Sequence, residues 1–329
     1  MRQLLWLAGA AAVMAALNVV LPWFANPYIG RVIMLCGINI VLAVSLNLIN
    51  GFTGQFSIGH AGFMAIGGYG SAMFSLYVGR HWVAALAGAG TPEPIAQGLA
   101  LLVALVVGGL MAALAGYLVG LPSLRLRGDY LAIVTLGFGE IIRVLILNVD
   151  VIGGARGLPG IPGWSNFFWV GLAVVAVILV ARHLSLSTHG RALFAIRDDE
   201  VAAEALGVDT TSYKVLAFVV GALFAGIAGG LAAHNDSYLN PSSFTFIRSI
   251  EVIAMVVLGG MGSITGSVLA AVTLTLLPEV LRPVKDYRMV IYSLMLVVLM
   301  ITRPGGLMGS REISLAKLKR RWRPARERV

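Results

Sequence analysis

The sequence has 329 residues, of which 58% are hydrophobic and only 12% are charged, and its mean hydropathy is +0.89. Soluble globular domains carry about 25% charged residues. This chain has too few charges to cover a water-facing surface, so the composition excludes a soluble globule and predicts a protein embedded in a membrane.

Ten apolar stretches are interpreted as membrane-spanning helices, because backbone polar groups find no water in lipid and must pair within the segment. The expected fold class is all-α, a polytopic transmembrane helical bundle of about ten spans. The first stretch is expected to stay attached, since no clear cleavage site of a signal peptide precedes Pro22. The spans are predicted at residues 4–21, 30–49, 57–79, 96–121, 129–148, 166–182, 213–234, 247–260, 263–281 and 288–302.

The Lys and Arg residues predict the orientation of these spans, because cytoplasmic loops carry more of them. With both termini inside, the inner segments hold 16 of the 24 Lys and Arg residues. The loop 282–288 is the exception, since its three cations face outside. The chain therefore divides into a membrane domain over 1–302 and a basic cytoplasmic tail over 303–329, expected at the membrane edge rather than on nucleic acid.

Small residues recur at every fourth position on three predicted spans, which lets helix backbones approach closely in lipid. Packing within this one chain is the favoured interpretation, and contact with a partner subunit is the alternative. The rows are Ala112, Gly116 and Gly120; Gly221, Ala225 and Gly229; and Ser263, Ser267, Ala271 and Thr275.

A polar, glycine-rich stretch follows the second predicted span. A broken helix there would point free N–H groups at a substrate carboxylate. The alternative is a tight turn between two spans with polar side chains at the interface. The residues predicted to line a translocation pathway are Asn47, Asn50, Gln55, Ser57, His60 and Glu140.

Two pairs of opposite charges are spaced by three residues on predicted helices, namely Glu140 with Arg143 and Arg248 with Glu251. Ionisable groups inside spans are costly and often mark a pathway. The spacing favours self-neutralising pairs instead, because residues three apart share one helix face.

Residue counts exclude two kinds of site. Cys36 is the only cysteine, so an intrachain disulfide and a cysteine-rich metal site are both excluded. None of the four lysines follows a glycine, so the chain lacks the P-loop pattern that binds nucleotide. No cofactor, metal or catalytic residue is predicted, and the chain is not expected to be an enzyme.

The loop 183–214 is the longest predicted inner loop, and it contains the pattern of a short helix. Asp198 or Asp199 can cap the beginning, Glu200 favours the first turn, and Gly207 suits the end. Such an amphipathic helix either docks into a groove on another protein or lies on its own membrane domain.

The segment resembles the coupling loop of ABC importer permeases, which docks onto a cytoplasmic ATPase. Four motifs, in order along the chain, resemble the branched-chain amino acid permeases of the LivM type within the LivH/LivM family. The motifs are NLINGFTGQFSIGHAGF at 47–63, RGDYLAIVTL at 127–136, GGARGL at 153–158 and RPGGL at 303–307.

The resemblance implies ABC importer permease architecture in a bacterial inner membrane, with alternating access driven by separate ATPases. It implies as partners two cytoplasmic ATPase subunits, a second related permease, a periplasmic substrate-binding protein, membrane lipid and a small-molecule substrate. Urea or amide permeases look similar and remain an alternative, as does an ion-coupled secondary transporter. The residues assigned to ATPase coupling are Arg191, Arg197, Asp198, Asp199, Glu200, Ala203, Glu204 and Gly207.

Overall fold

A computed structural model describes residues 26–124, 126, 128–282, 287–302 and 305–309. Within these ranges the chain forms a bundle of α-helices with one two-stranded ribbon. The predicted span at 4–21 and most of the basic tail lie outside the described residues.

The helices are numbered here in chain order over the described residues. They are α1 Pro27–Asn50, α2 His60–Phe74, α3 Arg80–Gly88, α4 Glu93–Ser123, α5 Asp129–Asn148, α6 Phe167–Leu186, α7 Thr188–Asp198, α8 Glu200–Ala205, α9 Thr210–Asp236, α10 Phe246–Gly259, α11 Ile264–Val280 and α12 Arg288–Thr302. A π-helical turn, Ser75–Gly79, joins α2 to α3 without a break. Strands β1 Leu158–Pro159 and β2 Tyr238–Leu239 pair in antiparallel fashion.

Each of the nine predicted spans that lie within the described ranges corresponds to a helix, so the all-α fold class is confirmed. The span predicted at 129–148 has the bounds of α5. In the part of the chain that the structure describes, five helices are long and apolar enough to cross a membrane, namely α1, α4, α5, α6 and α9.

The third predicted span differs most from the structure. It was expected over 57–79, but the helix begins at His60 and continues to Gly88. Residues 51–59 are non-helical because their polar groups bond elsewhere, as when Asn50 accepts a hydrogen bond from the Ser57 amide at 3.2 Å. Glycines at 51, 54 and 59 make this departure from the helix inexpensive.

The core is built around α9, which packs against α1, α2 and α4. Glycines allow the closest approach, since a Cβ added at Gly67 of α2 would lie 2.0 Å from Gly226 Cα. Gly116 of α4 lies against Ala222 of α9 in the same way. In the second row, Gly221 lies against Ile49 of α1 and Gly229 against Met64 of α2, so the first two rows of small residues pack within the chain, as favoured from the sequence.

The bundle has two distinct ends. One, called here the α7–α8 end, holds these two short helices beside Gly51 and Gly262. The other, called the β-ribbon end, holds β1 and β2 and an ion pair of 3.0 Å between Arg31 and Asp236. Arg282, from the loop that did not fit the charge rule, lies over the Tyr28 ring at the β-ribbon end.

Candidate coupling and translocation sites

Helix α8 begins and ends where the sequence predicts. The Asp199 carboxylate accepts hydrogen bonds from the amides of Val201 and Ala202 at 2.9 and 3.0 Å. Gly207 follows the helix with a φ of +85°, the left-handed conformation that glycine adopts most readily. The cap residue is thus Asp199 rather than Asp198.

Helix α8 is anchored to its own chain by two acidic residues. Glu200 forms an ion pair of 2.6 Å with Lys214, whose side chain is 1% exposed. Glu204 accepts a hydrogen bond from the Thr210 hydroxyl at 2.9 Å. Ala203 is buried beneath the helix. These three residues, predicted to couple to an ATPase, make contacts inside the chain.

The opposite face of α8 is apolar and exposed. Val201 is 63% exposed and Leu206, just after the helix, is 84% exposed. Asp198 and Arg191 on α7 are exposed too. A burial pattern of this kind leaves an apolar patch at one end of a membrane domain, which is typical of a surface that binds another protein.

The connection from α8 to α9 is also capped. Asp209 accepts hydrogen bonds from the Ser212 amide at 3.2 Å and from the Ser212 hydroxyl at 2.5 Å. These bonds stabilise the carboxylate and lower the pKa of Asp209 below its usual value.

Helix α7 was not predicted as a separate helix, and it packs against the end of the bundle near Gly51. Its signal in the sequence is Ser187, whose hydroxyl caps the Gly190 amide at 3.1 Å. The Phe194 ring lies 5.0 Å from the Phe52 ring, centroid to centroid. Arg197 lies over Phe194 at 5.1 Å and approaches the carbonyl oxygen of Gly51 at 3.5 Å.

Asn47, near the end of α1, connects the contact between α7 and the segment after α1 to the turn between α10 and α11. Its side-chain oxygen accepts a hydrogen bond from the Gly262 amide at 2.8 Å, and its side-chain nitrogen donates to the carbonyl of Ser263 at 3.1 Å. An added Cβ at Gly51 would lie 2.3 Å from the Gly262 nitrogen. The end of α1 and the turn between α10 and α11 are therefore held together.

The amides of the broken segment are bonded within the chain. The Ile58 amide donates to the Thr135 hydroxyl at 3.1 Å, and the Ala61 amide donates to the Ser249 hydroxyl at 3.0 Å. His60 Nε2 lies 2.9 Å from the Ser45 hydroxyl. This bonding agrees with the alternative of a polar turn packed between spans.

Two predicted pathway residues have a polar side-chain atom that makes no hydrogen bond. Among the described residues, Ser57 Oγ and His60 Nδ1 are buried without a hydrogen-bond partner in the structure. Gln55 is also buried. The role in a pathway of the whole predicted set remains a prediction: Asn47, Asn50, Gln55, Ser57, His60 and Glu140.

The two charged pairs form as their spacing indicates. Arg143 Nε lies 2.7 Å from a Glu140 carboxylate oxygen, and Arg248 Nη1 lies 2.8 Å from one of Glu251. Glu140 borders a cavity of only about 10 Å³, room for one water at most. Within the described ranges, no group of three His, Cys, Asp or Glu residues is placed to hold a metal ion.

A family model described as the permease component of the branched-chain amino acid transport system matches residues 28–301. The chain is 40% identical to the high-affinity branched-chain amino acid transport permease LivM of Escherichia coli K12, over 82% of this chain and 68% of that protein. The chain belongs to this permease family.

Two further relatives show how the permease varies. A probable LivM of Methanocaldococcus jannaschii is 23% identical over 89% of this permease and 96% of its own length. The LivH permease of Escherichia coli K12 is 30% identical, but over only 43% of this permease and 46% of its own length. The resemblance to LivM-type permeases is thus confirmed. No solved structure matches the chain.

Proposed function

We propose that this chain is one permease subunit of an ATP-driven importer of branched-chain amino acids and catalyses no reaction itself. Family membership supports the transport role, and relatives of two kinds, LivM and LivH, support pairing with a second, related permease. Two ATPase subunits and a periplasmic binding protein complete the proposed assembly.

One observation carries the mechanism, which is the aromatic contact between Phe194 of α7 and Phe52 beyond α1. A push on α7 from an ATPase reaches the end of α1 through this contact. The Asn47 bonds then carry the motion to the turn at Gly262 and Ser263. Such a chain of packed groups can bias two arrangements of a bundle, as alternating access requires.

The ATPase is proposed to bind the exposed face formed by Val201 and Leu206. Glu200 and Glu204 are then proposed to act indirectly: on the face away from the ATPase, they fix α8 against α9. In this arrangement both termini lie in the cytoplasm of a bacterium and the β-ribbon end lies outside.

The direct test deletes residues 200–207, which comprise α8 and the two residues that end it. It then measures capture of the ATPase by the tagged permease. We expect association to be lost. The double change Val201→Asp and Leu206→Asp should have the same effect, because it places charge in an apolar contact without deleting an anchor.

The matched control is Val151→Asp, which adds a charge at a position 69% exposed at the β-ribbon end. Retained association after deletion of 200–207 would contradict the proposal. Uptake of L-leucine by this chain alone, driven by an ion gradient in liposomes, would instead support a secondary transporter.

A further inference from the structure

A cavity of about 280 Å³ lies inside the β-ribbon end. It is lined by residues of α1, α2, α9 and α10 and by residues 238–244. This volume is close to the lower end of the range for ligand pockets, about 300 Å³, which suits one small amino acid. None of the residues predicted for the pathway lines it.

Two opposite charges border this cavity. Arg248 donates to Glu251 at 2.8 Å and to Asn39 at 2.5 Å, and its side chain is 22% exposed. A guanidinium has five N–H donors, so these bonds leave donors for a carboxylate. Asp236 binds Arg31 at 3.0 Å through one oxygen, and its side chain is 37% exposed. A carboxylate accepts several bonds and can bind an ammonium group as well.

The rest of the wall is mostly apolar. Ile38, Met64, Leu239 and Phe244 are buried and line the cavity together with the half-buried Leu35. A small site with an apolar wall and a few placed polar groups is the usual form of a site for a small molecule.

The motif GGARGL at 153–158 contacts two residues that line this cavity, Tyr238 and Leu239. Leu158 pairs with Leu239 across the ribbon, and the Tyr238 hydroxyl donates to the carbonyl oxygen of Arg156 at 2.8 Å. Tyr238, Asp236 and Ser243 are exposed, so the lining reaches the surface on this side.

We propose that the cavity binds an aliphatic amino acid as a zwitterion before it crosses the bundle. Arg248 receives the carboxylate, Asp236 receives the ammonium group, and the branched side chain lies on the apolar wall. The inference rests on the proposed function and assigns it a site. Urea carries no charge, so it would form no ion pair with either Arg248 or Asp236.

The test places a cysteine at the rim and asks whether substrate protects it. Ser243→Cys lines the cavity, and Ser242→Cys is its exposed neighbour outside the lining. The assembled importer is treated with a sulfonated maleimide, with or without L-leucine. The native Cys36 is buried, so labelling of Cys36 would identify any variant whose helical bundle has lost its packing.

We expect L-leucine at about twice its dissociation constant to slow labelling of Ser243→Cys by about threefold, by mass action. Ser242→Cys should label at an unchanged rate, and urea should protect neither. Arg248→Gln should abolish protection, whereas Arg143→Gln, which breaks the equivalent pair with Glu140, should preserve it.

Equal labelling of Ser243→Cys with and without L-leucine would overturn the site, and so would equal protection by urea. Loss of protection in Arg143→Gln as well would make Arg248 a structural residue only. ATP-driven uptake, measured on the same preparation, separates these failures from failure of the proposed function.

Discussion

The two ends of the bundle use charged side chains in opposite ways. At the α7–α8 end, Lys214 is buried and bound to Glu200, so the charges fasten a short helix to the bundle. At the β-ribbon end, Asp236 and Arg248 border a cavity and remain partly exposed. The first arrangement suits transmission of force, and the second suits reception of a charged solute. The following changes test this contrast.

The largest effect is expected from Glu200→Gln, which leaves the Lys214 ammonium buried without its partner. Removing one member of a buried pair costs about 3–5 kcal/mol. We expect α8 to open locally, with faster hydrogen exchange over residues 200–206. The double variant Glu200→Gln with Lys214→Met should recover most of the protection. Unchanged exchange in the single variant would show that the pair does not anchor α8.

Next in size is Phe194→Ala, which removes the ring that contacts Phe52. Loss of the burial and contact of this ring, about 2 kcal/mol, corresponds to a decrease of about thirtyfold in coupled transport. ATP hydrolysis should continue, since the exposed face of α8 is unchanged. Uptake and hydrolysis are measured together in proteoliposomes, with Phe168→Ala, which removes a ring from α6, as the control. A variant with full uptake would refute the transmission path.

The β-ribbon end is tested by Gly157→Ala. Gly157 has a φ of +76°, and an added Cβ would lie 2.4 Å from the carbonyl oxygen of Leu239. Gly157 also has a ψ of 175°, a backbone region adopted almost only by glycine, so the strain of about 1–3 kcal/mol should displace the ribbon and reduce uptake by about tenfold. Gly90→Ala is the matched control, because Gly90 also has a positive φ but an added Cβ there meets no atom within 4 Å. Equal losses of uptake in both variants would show that transport does not depend specifically on the position of the ribbon.

The smallest effect is expected from Asp199→Ala, which removes the cap of α8. Loss of a cap costs about 1 kcal/mol, which corresponds to about fivefold more frequent opening of the helix. Hydrogen exchange at Val201 and Ala202 reports it, and Asp199→Ser should restore the slow rate. If the serine variant exchanged as fast as alanine, the capping bond would not be the cause.

Local features were predictable from the sequence because neighbouring residues determine them. Asp199 and Gly207 mark the limits of α8, and the charge spacing predicts the pair of Glu140 and Arg143. The apolar run 129–148 predicts α5 without error. Each of these rests on residues within one helix or one turn.

Contacts between distant segments were not predictable in this way. Arg197 was assigned to ATPase coupling, which stays a prediction, but the sequence did not indicate that its side chain lies against Phe194 and near Gly51, 146 residues away along the chain. The cavity was missed because its two charged residues lie on different helices, and because the position of Tyr238 and Leu239 depends on the pairing of residues 158–159 with 238–239. Only packing brings these groups together.

The central claim is that α7 and the segment after α1 move as one body. The most direct measurement is the distance between spin labels at Phe56→Cys and Arg191→Cys, both exposed positions on these two elements. The assembled importer is compared without nucleotide and with trapped ATP. The account predicts one unchanged distance in both states, while uptake remains ATP-driven. A shift of about one helical turn, ~5 Å, would show that the two elements slide past each other and would contradict it.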